Sequence, residues 1–454
     1  MNTNHVISAS QPEPISVDLV IANGIVVTMD AGLTVIRDGS VVVDQGGIVA
    51  VGSSADLNER YCAARSIDAT GKLVMPGLVN THTHAAMTLF RGMADDLPLD
   101  TWLRQFIWPA ESHFLTAKSV RTGANLALAE MIRSGITTFN DMYFYADELA
   151  HAAKNAGVRG IIGEAVIDFP DPDCKNPRES FAVIKQLADT WKNDPLISIA
   201  VAPHAPYTCS PETLKASKRV ADTLDLPLSI HVSETRKEVS DITARYGVPP
   251  FEYLDSLGFF GGTVIAAHAV YPTPGEIRLM AEKNVGVAHN PVSNMKLASG
   301  VAPVVEMLQA GIAVGLGTDG AASNNSLNLF KEMNVADLLQ KVTRLDPSAM
   351  SARDTVIAAT TGGAKVLGLE RRIGSLEQGK RADLIVIDLN RPHLVPFYNV
   401  YSELVYATSG SDVETVIIDG RIVMENRNLL TLDEESVMQE AREFVLKIRG
   451  LTEY

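Results

Sequence analysis

The chain has 454 residues, 46% hydrophobic and 20% charged, with a formal net charge of −15. That is too long for one ordinary globular domain and apolar enough for a large core. The acidic balance argues against a nucleic-acid-binding surface and against docking on anionic membranes.

Three cysteines, Cys62, Cys174 and Cys209, form no Cys-x-x-Cys pair, which fits a reducing compartment. Met1 to Ser16 is polar and Pro-bearing, without the basic and apolar regions of a signal peptide. No apolar run approaches the length of a membrane span. A cytoplasmic protein with no nucleic-acid or membrane partner is expected.

Residues 1–17 read as a flexible arm. From Asp18 to about Asp68 the texture is β. Leu19 to Met29 reads as two short apolar runs around Asn23-Gly24, a hairpin signal. From Leu73 strand-like and helix-like runs alternate about eight times. The candidate strands are Leu73–Asn80, Thr137–Asn140, Gly160–Ala165, Ile197–Pro203, Pro227–Val232, Thr263–His268, Val285–Asn290 and Ile312–Thr318. Amphipathic stretches such as Ser119–Ser134 and Pro211–Leu224 lie between them. Eight βαβ units point to a closed (β/α)8 TIM barrel. No Gly-x-Gly-x-x-Gly follows the first strand, which weakens a dinucleotide-binding alternative. After residue 373 β texture returns, with a hairpin about Asp419-Gly420 and a final helix from about Asp433 to Arg449. The expected plan is a catalytic barrel over residues 73–373 and a small β-sandwich domain built from both chain ends, 18–72 plus 374–454.

Chemistry gathers at the C-terminal ends of the proposed strands. Strand one gives His82 and His84, two apart and so on one face. The following strands give Asp141, Glu164, His204, His231 with Glu234, His268, His289 with Asn290, and Asp319. Barrel active sites are built at that face, so these ends are expected to converge. Any one of these histidines alone fits a satisfied core position. Six of the chain's ten histidines at eight strand ends do not fit scattered structural use.

His82, His84, His231 and Asp319 make a donor set suited to Zn²⁺ or Fe²⁺. Strand four ends Val201-Ala-Pro-His-Ala-Pro-Tyr and offers no bridging lysine or carboxylate, so one divalent ion is expected. Such an ion brings the pKa of a bound water towards neutrality. Glu234, three residues after His231, is placed to shuttle that water's proton, and His268 to hold or polarise the water.

Pro76-Gly-Leu-Val-Asn-Thr-His-Thr-His, His231-Val-Ser-Glu, Ala267-His268, His289-Asn290-Pro291 and Gly317-Thr-Asp-Gly-Ala-Ala-Ser-Asn-Asn resemble the amidohydrolase superfamily. The resemblance is to its mononuclear aminohydrolase branch, and within it to 5'-methylthioadenosine/S-adenosylhomocysteine deaminases. It covers nearly the whole chain, including Gly374-Ser-Leu-Glu-Gln-Gly-Lys-Arg-Ala-Asp-Leu-Ile-Val in the returning β segment. The resemblance implies a metal-dependent hydrolase that releases ammonia from C6 of an adenine ring, with Glu234, His268 and Asp319 catalytic. It implies zinc, with Fe²⁺ the alternative.

By the same resemblance, Trp102 gives an apolar contact to the nucleoside, Glu111 accepts the ribose hydroxyls, and His204 contacts the purine, while Glu234 and Asp319 also touch substrate. Some relatives that take S-adenosylhomocysteine carry arginine after strand three; here Gly163-Glu-Ala-Val-Ile-Asp-Phe-Pro-Asp-Pro-Asp is acidic, and Arg178 is the nearest arginine. Methylthioadenosine or adenosine is therefore expected over S-adenosylhomocysteine. The rival readings are deamination of a free purine, pterin or pyrimidine base, and triazine hydrolysis. Barrels of this kind also imply a homo-oligomer, a dimer or tetramer. The long segment Phe90–Trp108 could close over the pocket.

Overall fold

The computed structural model describes residues 13–452. The N-terminal strands are β1 (Ile15–Val27), β2 (Val35–Asp44), β3 (Gly47–Ser53), β4 (Tyr61–Asp68) and β5 (Lys72–Pro76). The barrel strands are β6 (Leu78–Thr83), β7 (Ile136–Tyr143), β8 (Arg159–Val166), β9 (Ile197–Pro203), β10 (Leu228–Val232), β11 (Val264–His268), β12 (Gly286–His289) and β13 (Val314–Leu316). The chain then returns as β14 (Leu384–Asp388), β15 (Val413–Ile418), β16 (Arg421–Glu425) and β17 (Asn428–Leu429).

β6 to β13 run parallel in chain order, with helices between them, as the alternating texture requires. Side chains close the ring. Asn80 on β6 donates to the Thr318 hydroxyl (2.7 Å) and accepts the Thr318 N–H (3.0 Å). The Asp319 N–H reaches the His82 carbonyl at 3.0 Å. The seam between first and last strands therefore joins two of the expected metal ligands.

The other nine strands form one mixed sheet from both ends of the chain, in the order β17-β16-β15-β14-β5-β1-β2-β3, with β4 beside β1. β5 and β14 pair antiparallel, Leu73 against Ile387 and Met75 against Ile385. The sheet curls, so that Ile21, Val41, Ile48, Leu384 and Ile417 share one core and the Gly46 turn meets the Asp419-Gly420 turn. The barrel is tied to the sheet by Arg159 at the foot of β8. Its guanidinium is buried and bonds Asp383 at 2.7 and 3.0 Å, Asp419 at 3.1 Å and the Pro195 carbonyl at 2.6 Å. The helix Glu434–Thr452 packs on the helix Ala117–Arg133, where Arg133 pairs with Glu434.

Four expectations are corrected. The expected arm 1–17 overlaps β1, which already runs from Ile15; residues 1–12 lie outside the described residues. Asn23-Gly24 does not turn a hairpin. Asn23 is left-handed (φ 64°), and the register against β2 shifts around Gly24, so the pair forms a bulge inside one long strand. Leu73–Asn80 is not one strand but β5 and β6, which belong to different sheets and part at Gly77. A Cβ at Gly77 would sit 2.1 Å from the Thr137 side chain, so only glycine lets the chain cross from sheet to barrel there. Glu164 does not reach the pocket. Its neighbour Ala165 lines the cavity, and strand alternation turns Glu164 outward, where it is buried and accepts the Ala146 N–H at 3.0 Å.

Candidate active site

His82 lies inside β6 and His84 just beyond it, with ring centroids 4.8 Å apart. His84 Nε2 lies 3.3 Å from Asp319 Oδ1 and 3.3 Å from His231 Nε2, and His82 Nε2 lies 3.4 Å from Asp319 Oδ1. A tetrahedral ion with donors at about 2.0–2.1 Å has donor–donor edges of roughly 3.3 Å, so these spacings match one ion. The backs of two rings are fixed: His84 Nδ1 meets the Met142 carbonyl at 2.6 Å and His231 Nδ1 the His204 carbonyl at 2.7 Å. With Nδ1 donating, Nε2 presents a lone pair to the centre. Both nitrogens of the buried His82 ring lack a protein hydrogen-bond partner. The residues present fit a divalent ion.

The charges agree. Burial opposes ionisation of Asp319, but its contacts with His82 and His84 outweigh this and hold the carboxyl well below its usual range. Burial pushes His82 down to about 4 and His231 well below the ordinary value. For His84 burial also acts downward, but Asp319 outweighs it and lifts the ring to about 9. One proton thus balances Asp319 where a cation would sit, and cation binding displaces it.

Around this centre the backbone is strained. Ser233, His268 and Asp319 all have left-handed φ, +54°, +73° and +58°. His268 Nε2 lies 3.8 Å from Glu234 Oε2 and 3.9 Å from Asp319 Oδ2, and its Nδ1 meets Asn294 Oδ1 at 2.8 Å. The Ser293 hydroxyl donates to Asp319 Oδ2 at 2.7 Å, and Ser323 donates to the same oxygen at 3.2 Å. Glu238 accepts the Ser233 and Glu234 N–H groups, each at 2.8 Å. Burial raises the Glu234 carboxyl above its ordinary value.

One cavity is lined by His84, Trp102, Glu111, His204, His231, Glu234, His268 and Asp319 together. His82 is buried behind it. Trp102 is buried, its indole N–H on the Ala94 carbonyl at 3.1 Å. Glu111 accepts the Tyr143 hydroxyl at 2.6 Å, and burial pushes its carboxyl up to about 7. His204, pushed down to about 3 by burial, is neutral, with Nδ1 2.9 Å from the Thr208 hydroxyl. Asp141 sits beneath the floor, accepting the Ala85 N–H at 2.6 Å. His289 is buried outside the lining, and Asn290 touches His268 Nδ1 at 3.3 Å. Arg178 is exposed at the start of the helix Pro177–Trp191 and does not line the cavity.

Sequence reasoning missed Tyr143, Ser293, Ser323, Asn294 and Glu238. Glu238 ends the run Ser233-Glu-Thr-Arg-Lys-Glu, which reads as a charged loop, and Ser323 lies within Gly317-Thr-Asp-Gly-Ala-Ala-Ser-Asn-Asn; neither context singles out the side chain.

The amidohydrolase family profile matches residues 73–423. The chain belongs to the amidohydrolase family. It is 49% identical over 425 residues to a 5-methylthioadenosine/S-adenosylhomocysteine deaminase of Syntrophobacter fumaroxidans, covering 94% of this chain and 97% of the relative. It is 48% identical over 424 residues to a 5'-deoxyadenosine deaminase of Methanothermobacter thermautotrophicus, covering 93% and 97%. Among solved structures it is similar to an adenosine deaminase from Xanthomonas campestris with bound zinc, at 43% identity and a TM-score of 0.95, covering 96% of this chain and all of that one. This amidohydrolase is a hydrolase acting on C–N bonds.

Proposed function

We propose that the protein hydrolytically deaminates an adenosine-type nucleoside, giving the inosyl product and ammonia. The observation that carries this reading is one cavity with His84, His231 and Asp319 at one part, His82 buried behind them, and the Glu111 carboxylate, braced by Tyr143, at another. The first group suits a metal-assisted attack on a ring carbon; the second suits a ribose diol.

Bound there, a divalent ion supplies Lewis acidity and an acidified water. Zinc is the proposed ion, with Fe²⁺ the alternative the donors also suit. His268, within 4 Å of both carboxylates, orients the attacking water. Glu234, raised by burial, protonates the ring nitrogen beside C6. Asp319, held ionised, takes the water's proton and passes it to the leaving amine. His204, neutral, contacts the purine edge, and Trp102 covers the apolar face.

The cavity lining includes Phe144, Ala165 and Ile167 and no arginine. That supports methylthioadenosine or adenosine over S-adenosylhomocysteine, whose carboxylate would go unpaired. The catalytic part is the barrel that begins at β6; the sheet, whose strands lie within 15–76 and 384–429, buttresses it. Three unpaired cysteines support a cytoplasmic location.

The test incubates zinc-replete protein with methylthioadenosine, adenosine and S-adenosylhomocysteine and follows the ultraviolet change from adenine to hypoxanthine. Turnover that falls at least 100-fold in Glu234→Gln, with zinc retained, supports the reading. Zinc-loaded protein inert on all three moves the activity to free bases or triazines. A specific preference for S-adenosylhomocysteine overturns the ranking.

A further inference from the structure

Among the described residues, one further group of donor side chains converges away from the catalytic centre: Glu164, Asp173 and Cys174. Glu164 leaves the outer side of β8, and the other two come from the loop before the helix Pro177–Trp191. Both carboxylates sit at the start of the helix Ala146–Ala156. Glu164 Oε2 accepts the Ala146 N–H at 3.0 Å, and Asp173 Oδ2 accepts the Tyr145 N–H at 2.6 Å. The second oxygen of each, Glu164 Oε1 and Asp173 Oδ1, is buried without a hydrogen-bond partner. Glu164 is 0% exposed and Cys174 2%. One oxygen of each carboxylate and the Cys174 sulfur lie within 4.8 Å of one another. Among the described residues no lysine, arginine or histidine pairs with Glu164, Asp173 or the neighbouring Asp171, and burial with mutual repulsion raises all three carboxyls above their ordinary values. A helix start supplies only about half a unit of positive charge, too little to balance two buried carboxylates.

We propose that Glu164, Asp173 and Cys174 bind a second divalent ion of the zinc class, separate from the catalytic ion, with water completing its shell. Two carboxylate oxygens and a thiolate make a borderline donor set that suits Zn²⁺ or Co²⁺ better than Mg²⁺ or Ca²⁺. The 4.8 Å span is close to twice a zinc–donor distance of about 2.0–2.3 Å, so small side-chain rotations bring all three donors onto one ion. The ion partners both orphaned oxygens. As the sulfur–metal bond forms, the thiol proton, which burial otherwise holds up to about 12, passes to solvent. The bound ion fixes the loop after β8 beside the substrate cavity. Ile167 lines that cavity, and Phe169 packs on the lining Trp108 with ring centroids 5.3 Å apart. The loop site is enclosed, so its ion is taken up as the chain folds and stays through a chelation that empties the open catalytic centre.

The test uses the full chain, expressed in zinc-supplemented and separately in cobalt-supplemented medium and analysed as isolated. Metal analysis is expected to give two ions per chain for the parent, one for Asp319→Asn and one for Cys174→Ala. The cobalt form separates the two sites. The catalytic donors are three imidazoles and a carboxylate, so only the Cys174 site gives a thiolate-to-cobalt charge-transfer band in the near ultraviolet. That band is expected in the parent and in Asp319→Asn, and is expected to be absent from Cys174→Ala and from Asp173→Asn, with circular dichroism confirming the fold of each. The half-buried Asp173 provides the second variant, so the assignment does not hang on replacing a buried cysteine. A parent with one ion per chain and no charge-transfer band overturns the proposal and leaves a proton shared by Glu164 and Asp173. A band that survives in folded Cys174→Ala overturns it too, because the thiolate then belongs to another cysteine. None of these readouts involves turnover, so they stand or fall separately from the deaminase reading.

Discussion

Glu238 holds Glu234 by the backbone, accepting the N–H of Glu234 and of Ser233 with its two oxygens at 2.8 Å. The turn it closes includes the left-handed Ser233, so the carboxylate offsets the strain that aims Glu234 at the centre. A glutamine can accept only one of those two donors. Leaving a buried N–H unpaired costs about 1–3 kcal/mol. Glu238→Gln should lower kcat about 10–100-fold with KM within twofold and zinc retained, as read by steady-state kinetics alongside metal analysis. Loss of zinc in step with activity would instead make Glu238 a purely structural support.

Removing the metal should inactivate the enzyme and also soften it. A ligand present at about 1,000 times its Kd stabilises the folded state by about 4 kcal/mol. Chelation is expected to lower Tm by several degrees and abolish turnover, with zinc restoring both. In Asp319→Asn the only anionic donor of the set is gone, so zinc should no longer raise Tm.

Glu111 makes a pH prediction. Burial lifts its carboxyl from 4.5 to about 7, so below pH 7 it is protonated and cannot accept both ribose hydroxyls as a carboxylate. KM for the nucleoside should rise as pH falls from 8 to 6, and Glu111→Gln should flatten that dependence. The linkage has a second consequence. Between 4.5 and about 7 the folded state keeps a proton that the unfolded chain releases, so this group's contribution to stability falls as pH rises. Glu111→Gln should therefore gain Tm relative to the parent above pH 7 and not at pH 5.

The Arg159 junction is a stability site. Replacing Arg159 with methionine strands the buried Asp383 without its cation, while Asp419 keeps its pair with Arg381 at 2.5 Å. Breaking a buried pair this way costs about 3–5 kcal/mol. The expected result is a Tm lower by several degrees with kcat close to the parent, since the junction lies at the foot of the barrel away from the cavity.

The barrel and the convergence of His82, His84, His231 and Asp319 were legible because period and placement coincide: His82 and His84 alternate onto one face, and His231 and Asp319 lie at the ends of short apolar runs. The same alternation misled where no neighbour fixed the face. Glu164 stands at a strand end like His268, yet Ala165 holds the inward place, and only the register of β8 decides between them. Gly77 hid a strand boundary, because an apolar run looks continuous even where its two halves enter different sheets. Asn23-Gly24 has hairpin composition, but β2 pairs on both sides of it, so the pair bulges instead of turning. Glu238 was invisible because its partners are backbone N–H groups, which leave no trace in side-chain spacing.

The pairing of β5 with β14 joins residues roughly 300 positions apart. On a ribosome adding about 5–20 residues per second, β5 waits tens of seconds for its partner. Through that interval β1 to β5 present an unpaired apolar edge, the kind that recruits other nascent strands. The barrel has all eight strands before β14 emerges, so the sheet is the last part able to form. Truncation ahead of β14 would leave a finished barrel bearing a sticky flank, and such fragments should aggregate before they lose their helices.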